Sequence, residues 1–195
     1  MDSKLRLFLA IEIPENVRAE LRHFQQELKS LLPPRAVRWT KPEQFHLTLK
    51  FLGNVPAADV PALSEAARAV CAAASPFLLR AESVGFFPNH CAPRVFWVDL
   101  KNPDGRLLEF QRQLEGAVER FAEKEEPKNF TAHITLARFE KLRSGEAGKF
   151  ASLVQTDKVF GEWTAKEVKL MESKLTPAGA LHAILDVFKT KSLSP

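Results

Sequence analysis

Two short stretches of the chain place a histidine two residues before a threonine: His46-Leu47-Thr48-Leu49 and His133-Ile134-Thr135-Leu136, 87 residues apart. Alternate residues of a strand share a face, so each stretch presents an imidazole and a hydroxyl together. The unperturbed imidazole pKa, ~6.5, lets one ring of a pair be neutral while the other is protonated near neutral pH. Around a phosphorus atom the neutral ring takes a proton from an attacking water or hydroxyl. The imidazolium gives one to the leaving oxygen, and each transfer contributes ~10²–10⁴-fold. The threonine hydroxyls donate to phosphoryl oxygens as negative charge accumulates. This chemistry requires no metal or other cofactor. A lone HxT fits any half-buried strand, but two near copies in similar contexts point to an internal duplication that sets its strands across a cleft.

The other chemistry-bearing residues are less organised. Cys71 and Cys91 show no CxxC or CxxH pattern, so neither a disulfide framework nor a zinc site is signalled. His90 and Cys91 have no companion ligands nearby in sequence, and His23 lies beside an apolar helical stripe as a surface or boundary residue. His182 reads as a packed sheet histidine, and Trp39, Trp97 and Trp163 as core. Lys50, Arg94 and Lys128 are the cations that could add positive potential around a cleft. Lys50 has the best claim, because strict alternation puts it on the face of His46 and Thr48, with Phe45, Leu47, Leu49 and Phe51 on the other.

The elements that must position these groups follow from periodicity. Residues 4–13 alternate as a strand closed by Pro14, and Val17, Leu21, Phe24, Leu28 and Leu31 mark one face of a helix over 15–31. A short extended piece at 37–39 and the turn Lys41-Pro42-Glu43 lead into a strand over 45–52, an alanine-rich helix over 57–75 and a strand over 77–84. A strand at 94–100 precedes a helix that enters at Asn102-Pro103-Asp104 and buries Leu107, Phe110, Leu114, Val118 and Phe121. The second HxT lies on a strand over 130–139. A short helix over 144–154 and a hairpin of strands 166–175 and 180–188 complete an α+β chain.

Composition agrees: of 195 residues, 45% are hydrophobic and 27% charged, enough apolar material for a core and too much for disorder. No apolar run approaches the ~18 residues of a membrane span, and no secretory cleavage pattern follows the N-terminus, so a cytoplasmic monomer with no membrane partner is expected. The net charge of +4 permits an anionic ligand without identifying one. No low-complexity linker divides the chain, which predicts a single unit over 1–195.

The two motifs in their wider settings, RWTKPEQFHLTLKFLGNV and FTAHITLAR, together with RLFLAIEIP, VGFFPNHCAPRVFWVDL and MESKLTPAGALH, resemble in order the 2H phosphoesterase superfamily. The likeness is greatest to its RNA 2′,3′-cyclic phosphodiesterases, also described as 2′-5′ RNA ligases. The resemblance covers nearly the whole chain. It implies a bilobal fold with two pseudo-symmetric lobes, antiparallel sheets and packed helices around a central cleft. It further implies His133 as general base, His46 as general acid, Thr48 and Thr135 on phosphate oxygens, and a 2′-phosphomonoester product from RNA with a 2′,3′-cyclic phosphate terminus or a small cyclic nucleotide. Arg138, in the LAR continuation, would contact phosphate or base, although its odd offset from His133 demands a bulge or twist. Phe8 is a candidate for stacking on a nucleobase. Two departures stand out: His182 where relatives often carry an aromatic, and Ala132 where they often carry proline. Two alternatives share these features, a 2′-5′ RNA ligase or phosphodiesterase and a non-catalytic RNA-end or nucleotide-binding module. The presence of both complete motifs favours catalysis.

Overall fold

Nine strands join in one sheet, and its order explains how the two HxT segments meet. In the computed structural model, residues 3–31, 37–124, 129–139, 144–154, 157–176 and 179–191 are described. The strands are β1 (Lys4–Glu12), β2 (Val37–Trp39), β3 (His46–Pro56), β4 (Phe77–Phe87), β5 (Val95–Lys101), β6 (His133–Phe139), β7 (Val159–Ala165), β8 (Glu167–Thr176) and β9 (Gly179–Lys189). The helices are α1 (Glu15–Lys29), α2 (Val60–Ala73), α3 (Arg106–Val118) and α4 (Ser144–Leu153). The sheet runs β7-β4-β5-β6-β3-β1-β8-β9, with β2 paired to β6. All pairings are antiparallel. Two four-stranded halves therefore abut at β6 and β3, which share a single ladder pair, Leu47 with Ile134.

Both residues of that pair are fully buried, which fixes the register: a slip of one residue would turn the two HxT faces into the core. The helices cross between the halves. α1 follows β1 in sequence yet packs on the other half, with Phe24 against Phe96 of β5 and Phe160 of β7. α3 follows β5 and packs on β3 and α2. α2 covers β8 and β9, while Phe150 of α4 sits among Phe86, Phe96 and Phe139.

The order of elements agrees with the sequence expectation, with three differences. β7 is not foreseen: its run VFGEWTA is an edge strand that buries only Phe160 and Ala165, and Gly161 at φ +132° breaks the alternation. β3 continues to Pro56 because its ladder with β1 runs through Gly53 and Asn54, which look like a terminator in the sequence. β6 begins at His133, three residues later than predicted. No helix among the described residues is long and apolar enough to cross a membrane.

Candidate active site

Each HxT strand carries a bulge just after its threonine. Along β3 the register with β1 passes from Thr48 opposite Ala10 to Lys50 opposite Leu9, stepping over Leu49. Along β6 the register with β5 passes from Thr135 opposite Trp97 to Ala137 opposite Phe96, stepping over Leu136. One extra residue reverses the facing of everything downstream. Arg138 is thereby returned to the face of His133 and Thr135, and it lines the cleft as its motif requires.

The same device overturns two expectations on β3. Lys50, predicted beside His46 and Thr48, points instead to α3, where its ammonium pairs with Glu115. Phe51, assigned to the core face, is turned into the cleft and is 55% exposed. Phe51 and Arg138 thus stand five residues after their respective histidines, at equivalent positions of the two strands. Alternation alone could not locate Phe51, because nothing in HLTLKF marks the bulge.

Two buried glutamines hold the bulges. The Gln25 amide of α1 donates to the carbonyl of Leu136 (3.0 Å) and to that of Thr40 (2.7 Å). The Gln111 amide of α3 donates to the carbonyl of Leu49 (3.2 Å) and to the Glu115 carboxylate (2.9 Å). These side chains are only 1% and 4% exposed, and both bind the residue that the ladder steps over. The sequence signal was present: the pattern F-Q-x-x-L occurs at Phe24–Leu28 and Phe110–Leu114, with glutamine beside each apolar stripe.

The imidazoles are oriented alike. His46 Nδ1 lies 2.7 Å from the Gln44 carbonyl and His133 Nδ1 2.7 Å from the Thr131 carbonyl, in each case two residues upstream. A carbonyl only accepts, so Nδ1 carries the hydrogen and Nε2 is left to exchange protons. His46 Nε2 accepts from the Thr48 hydroxyl at 3.0 Å in the neutral ring. Extending the Leu47–Ile134 register by one residue each way sets His46 across from Thr135 and Thr48 across from His133.

Aromatic rings back both histidines. Phe8 and His182 lie 5.1 and 5.4 Å from the His46 ring, while Phe87 and Trp97 lie 5.1 and 6.0 Å from that of His133. The Trp97 ring lies over Gly85, where an added Cβ would come within 2.2 Å of it. Phe8, the candidate for nucleobase stacking, is 3% exposed, and its neighbours are His46, His182 and Phe51. His182 borders the cleft rather than the core, and Trp39 lines the cleft too.

Burial lowers the pKa of His46 to about 4, opposed by the Gln44 hydrogen bond and reinforced by His182 and His133. His133 is also lowered, mainly by burial, with Arg138 adding to the effect and the Thr131 hydrogen bond and Asp99 opposing it. Both rings are therefore neutral at pH 7 in the unliganded protein. Arg138 is itself lowered by burial and by the nearby charge of Arg38, its partner in the β2–β6 ladder. Like charges held this close favour an anion between the walls.

The cleft encloses about 580 Å³. It runs from Arg38, Trp39 and Arg138 at one end, past both HxT pairs, to Phe51, Gly53, Glu123 and Arg6 at the other. Among the described residues no cluster of three or more His, Cys, Asp or Glu is placed to hold a metal ion. His23 sits at the surface beside Glu27 (3.2 Å). His90, Cys91 and Arg94 are exposed outside the cleft lining, and Lys128 lies outside the described residues.

Comparison with known proteins gives a consistent result. The profile of the LigT-like phosphoesterases matches twice, over residues 11–97 and 98–182. A protein of Methanocaldococcus jannaschii named RNA 2′,3′-cyclic phosphodiesterase is 30% identical, covering 93% of this chain and 98% of its own. A relative of the same name from Thermus thermophilus is 32% identical over 96% of this chain and 91% of its own. The crystal structure of the Thermus thermophilus protein TT0787 superposes with a TM-score of 0.76 at 30% identity, covering 96% and 98% of the two chains. With both family matches falling on the two HxT-bearing halves, the chain belongs to the LigT-like phosphoesterases of the 2H phosphoesterase superfamily.

Proposed function

We propose that the protein hydrolyses RNA 2′,3′-cyclic phosphate ends to 2′-phosphomonoesters without a metal, with His133 as general base and His46 as general acid. One observation carries the proposal: two imidazoles, each with Nδ1 held by a backbone carbonyl, and two threonine hydroxyls face one another across a single ladder pair. The relatives named above bear the name of this activity.

In the reaction, His133 Nε2 takes a proton from water as its oxygen attacks phosphorus. The P–O3′ bond breaks opposite, and the His46 imidazolium gives its proton to O3′. The hydroxyls of Thr48 and Thr135 donate to the non-bridging oxygens, and Arg138 adds positive charge where the anion develops.

The pKa directions support this division of roles. His46 needs a proton that it lacks in the free protein, and the phosphodiester anion supplies the attraction that raises its pKa. The effect is large because His46 is the more depressed ring and sits where solvent screens little. His133 has the Arg138 guanidinium beside it, which favours the neutral ring even with an anion bound.

An RNA oligonucleotide ending in 2′,3′-cyclic phosphate tests the proposal in excess EDTA. The wild type yields a 2′-phosphate, while His46→Ala and His133→Ala each lose on the order of 10²–10⁴-fold. Binding without turnover by the wild type, a 3′-phosphate product, or activity restored only by a divalent ion would each sink it.

A further inference from the structure

The end of the cleft beyond Thr48 and His133 has no part in hydrolysis by water, yet its side chains are fixed. Phe51 presents an exposed ring there, tilted against Phe8 at 6.0 Å between centroids. Next to it Gly53 adopts φ +71°, and a Cβ at this position would lie 2.2 Å from Glu123 Oε2, so the carboxylate rests directly on the glycine. Asn54 Nδ2 donates to Glu123 Oε1 at 3.0 Å, and the Glu123 amide donates to the Leu52 carbonyl at 2.8 Å. Arg6, across the ladder from Asn54, completes the rim. Phe51 occupies on β3 the position that Arg138 occupies on β6, so the cleft has one fixed recognition group on either side of the phosphate position.

We infer that this end is a second nucleoside subsite, with guanine the preferred base, for the nucleoside whose 5′-oxygen takes the place of water beside His133. The inference rests on the assignment of His133 to the nucleophile side. A π-face takes any base. A fixed carboxylate beside it selects an edge with adjacent donors, which guanine offers through N1–H and N2–H and uracil does not. The linkage accommodated is a 2′-5′ phosphodiester. In its cleavage the 3′-hydroxyl attacks phosphorus, giving its proton to His46. The P–O5′ bond breaks, and O5′ takes a proton from protonated His133, leaving a 2′,3′-cyclic phosphate and a nucleoside with a free 5′-hydroxyl. The reverse reaction joins the same two pieces.

The test compares kcat/KM for adenylyl-2′,5′-guanosine, adenylyl-2′,5′-uridine and 2′,3′-cyclic AMP in the wild type, Phe51→Ala, Phe51→Trp and Glu123→Gln. The wild type releases guanosine about tenfold or more faster than uridine. Phe51→Ala loses about tenfold more on the two dinucleotides than on cyclic AMP, and Phe51→Trp, which keeps a ring, restores them. Glu123→Gln narrows the guanosine preference. Equal handling of the two dinucleotides, no cleavage of either by an enzyme that turns over cyclic AMP, or equal losses on all three substrates in Phe51→Ala would overturn the subsite. A wild type inactive on cyclic AMP as well would instead strike at the hydrolase proposal.

Discussion

At the residue scale, the site's behaviour is set by two imidazoles made reluctant to protonate. With both pKa values below the usual 6.5, kcat/KM, which reports the free enzyme, should peak on the acid side of pH 6.5. The profile of kcat, which reports the bound complex, should extend to higher pH, because the phosphodiester anion raises the pKa of the general acid. Steady-state rates from pH 4 to 9 check this, and a kcat/KM still climbing at pH 8 would contradict the two-imidazole chemistry. The HxT residues were legible because histidine and threonine are chemically conspicuous and strand parity places them together. The supporting rings were not: Phe8, Phe87, Trp97 and His182 come from four other strands, and only the assembled sheet brings them to His46 and His133.

At the element scale, the bulges decide what each strand presents. Gln25→Leu and Gln111→Leu retain approximate volume but leave the carbonyls of Leu136 and Leu49 without their donors, a loss of about 1–3 kcal/mol each. Urea denaturation measures that loss, and kcat/KM should fall with it in Gln25→Leu as Arg138 is re-aimed. Unchanged stability in both variants would mean that the ladder needs no such lock. Lys50→Met provides the converse check. Its ion pair with Glu115 is partly exposed, so its removal costs about 1 kcal/mol or less, and hydrolysis should stay within about twofold. A far larger loss of rate would put Lys50 back in the cleft. Element order could be read from periodicity, but these bulges could not, since an inserted residue leaves the hydrophobic pattern of HLTLKFLG intact and changes only its facing.

At the scale of the whole molecule, the halves are interleaved. α1 belongs to the first half in sequence and covers the second in space, and α3 does the reverse. Neither half can bury its sheet alone, so a fragment of residues 98–195 should be unfolded by circular dichroism, and the intact chain should melt in one transition. Two resolved transitions would contradict the interleaving. Acid should weaken the fold for a stated reason. The unfolded chain protonates its histidines as pH falls through 6.5, whereas folded His46 resists until about 4. Stability is therefore full above the unfolded value and is lost on descending from about 6.5 to about 4, by about 3 kcal/mol from this group. His46→Gln should flatten that part of the curve, and an unchanged slope would show that other groups carry it.

The assignment of acid and base is tested most directly by replacing the leaving 3′-oxygen of the cyclic phosphate with sulfur, which departs without a proton. With that substrate His46→Ala should recover most of the wild-type rate while His133→Ala stays slow, since water must still be deprotonated. Recovery by His133→Ala in place of His46→Ala would reverse the two roles, and recovery by neither would remove His46 as the general acid.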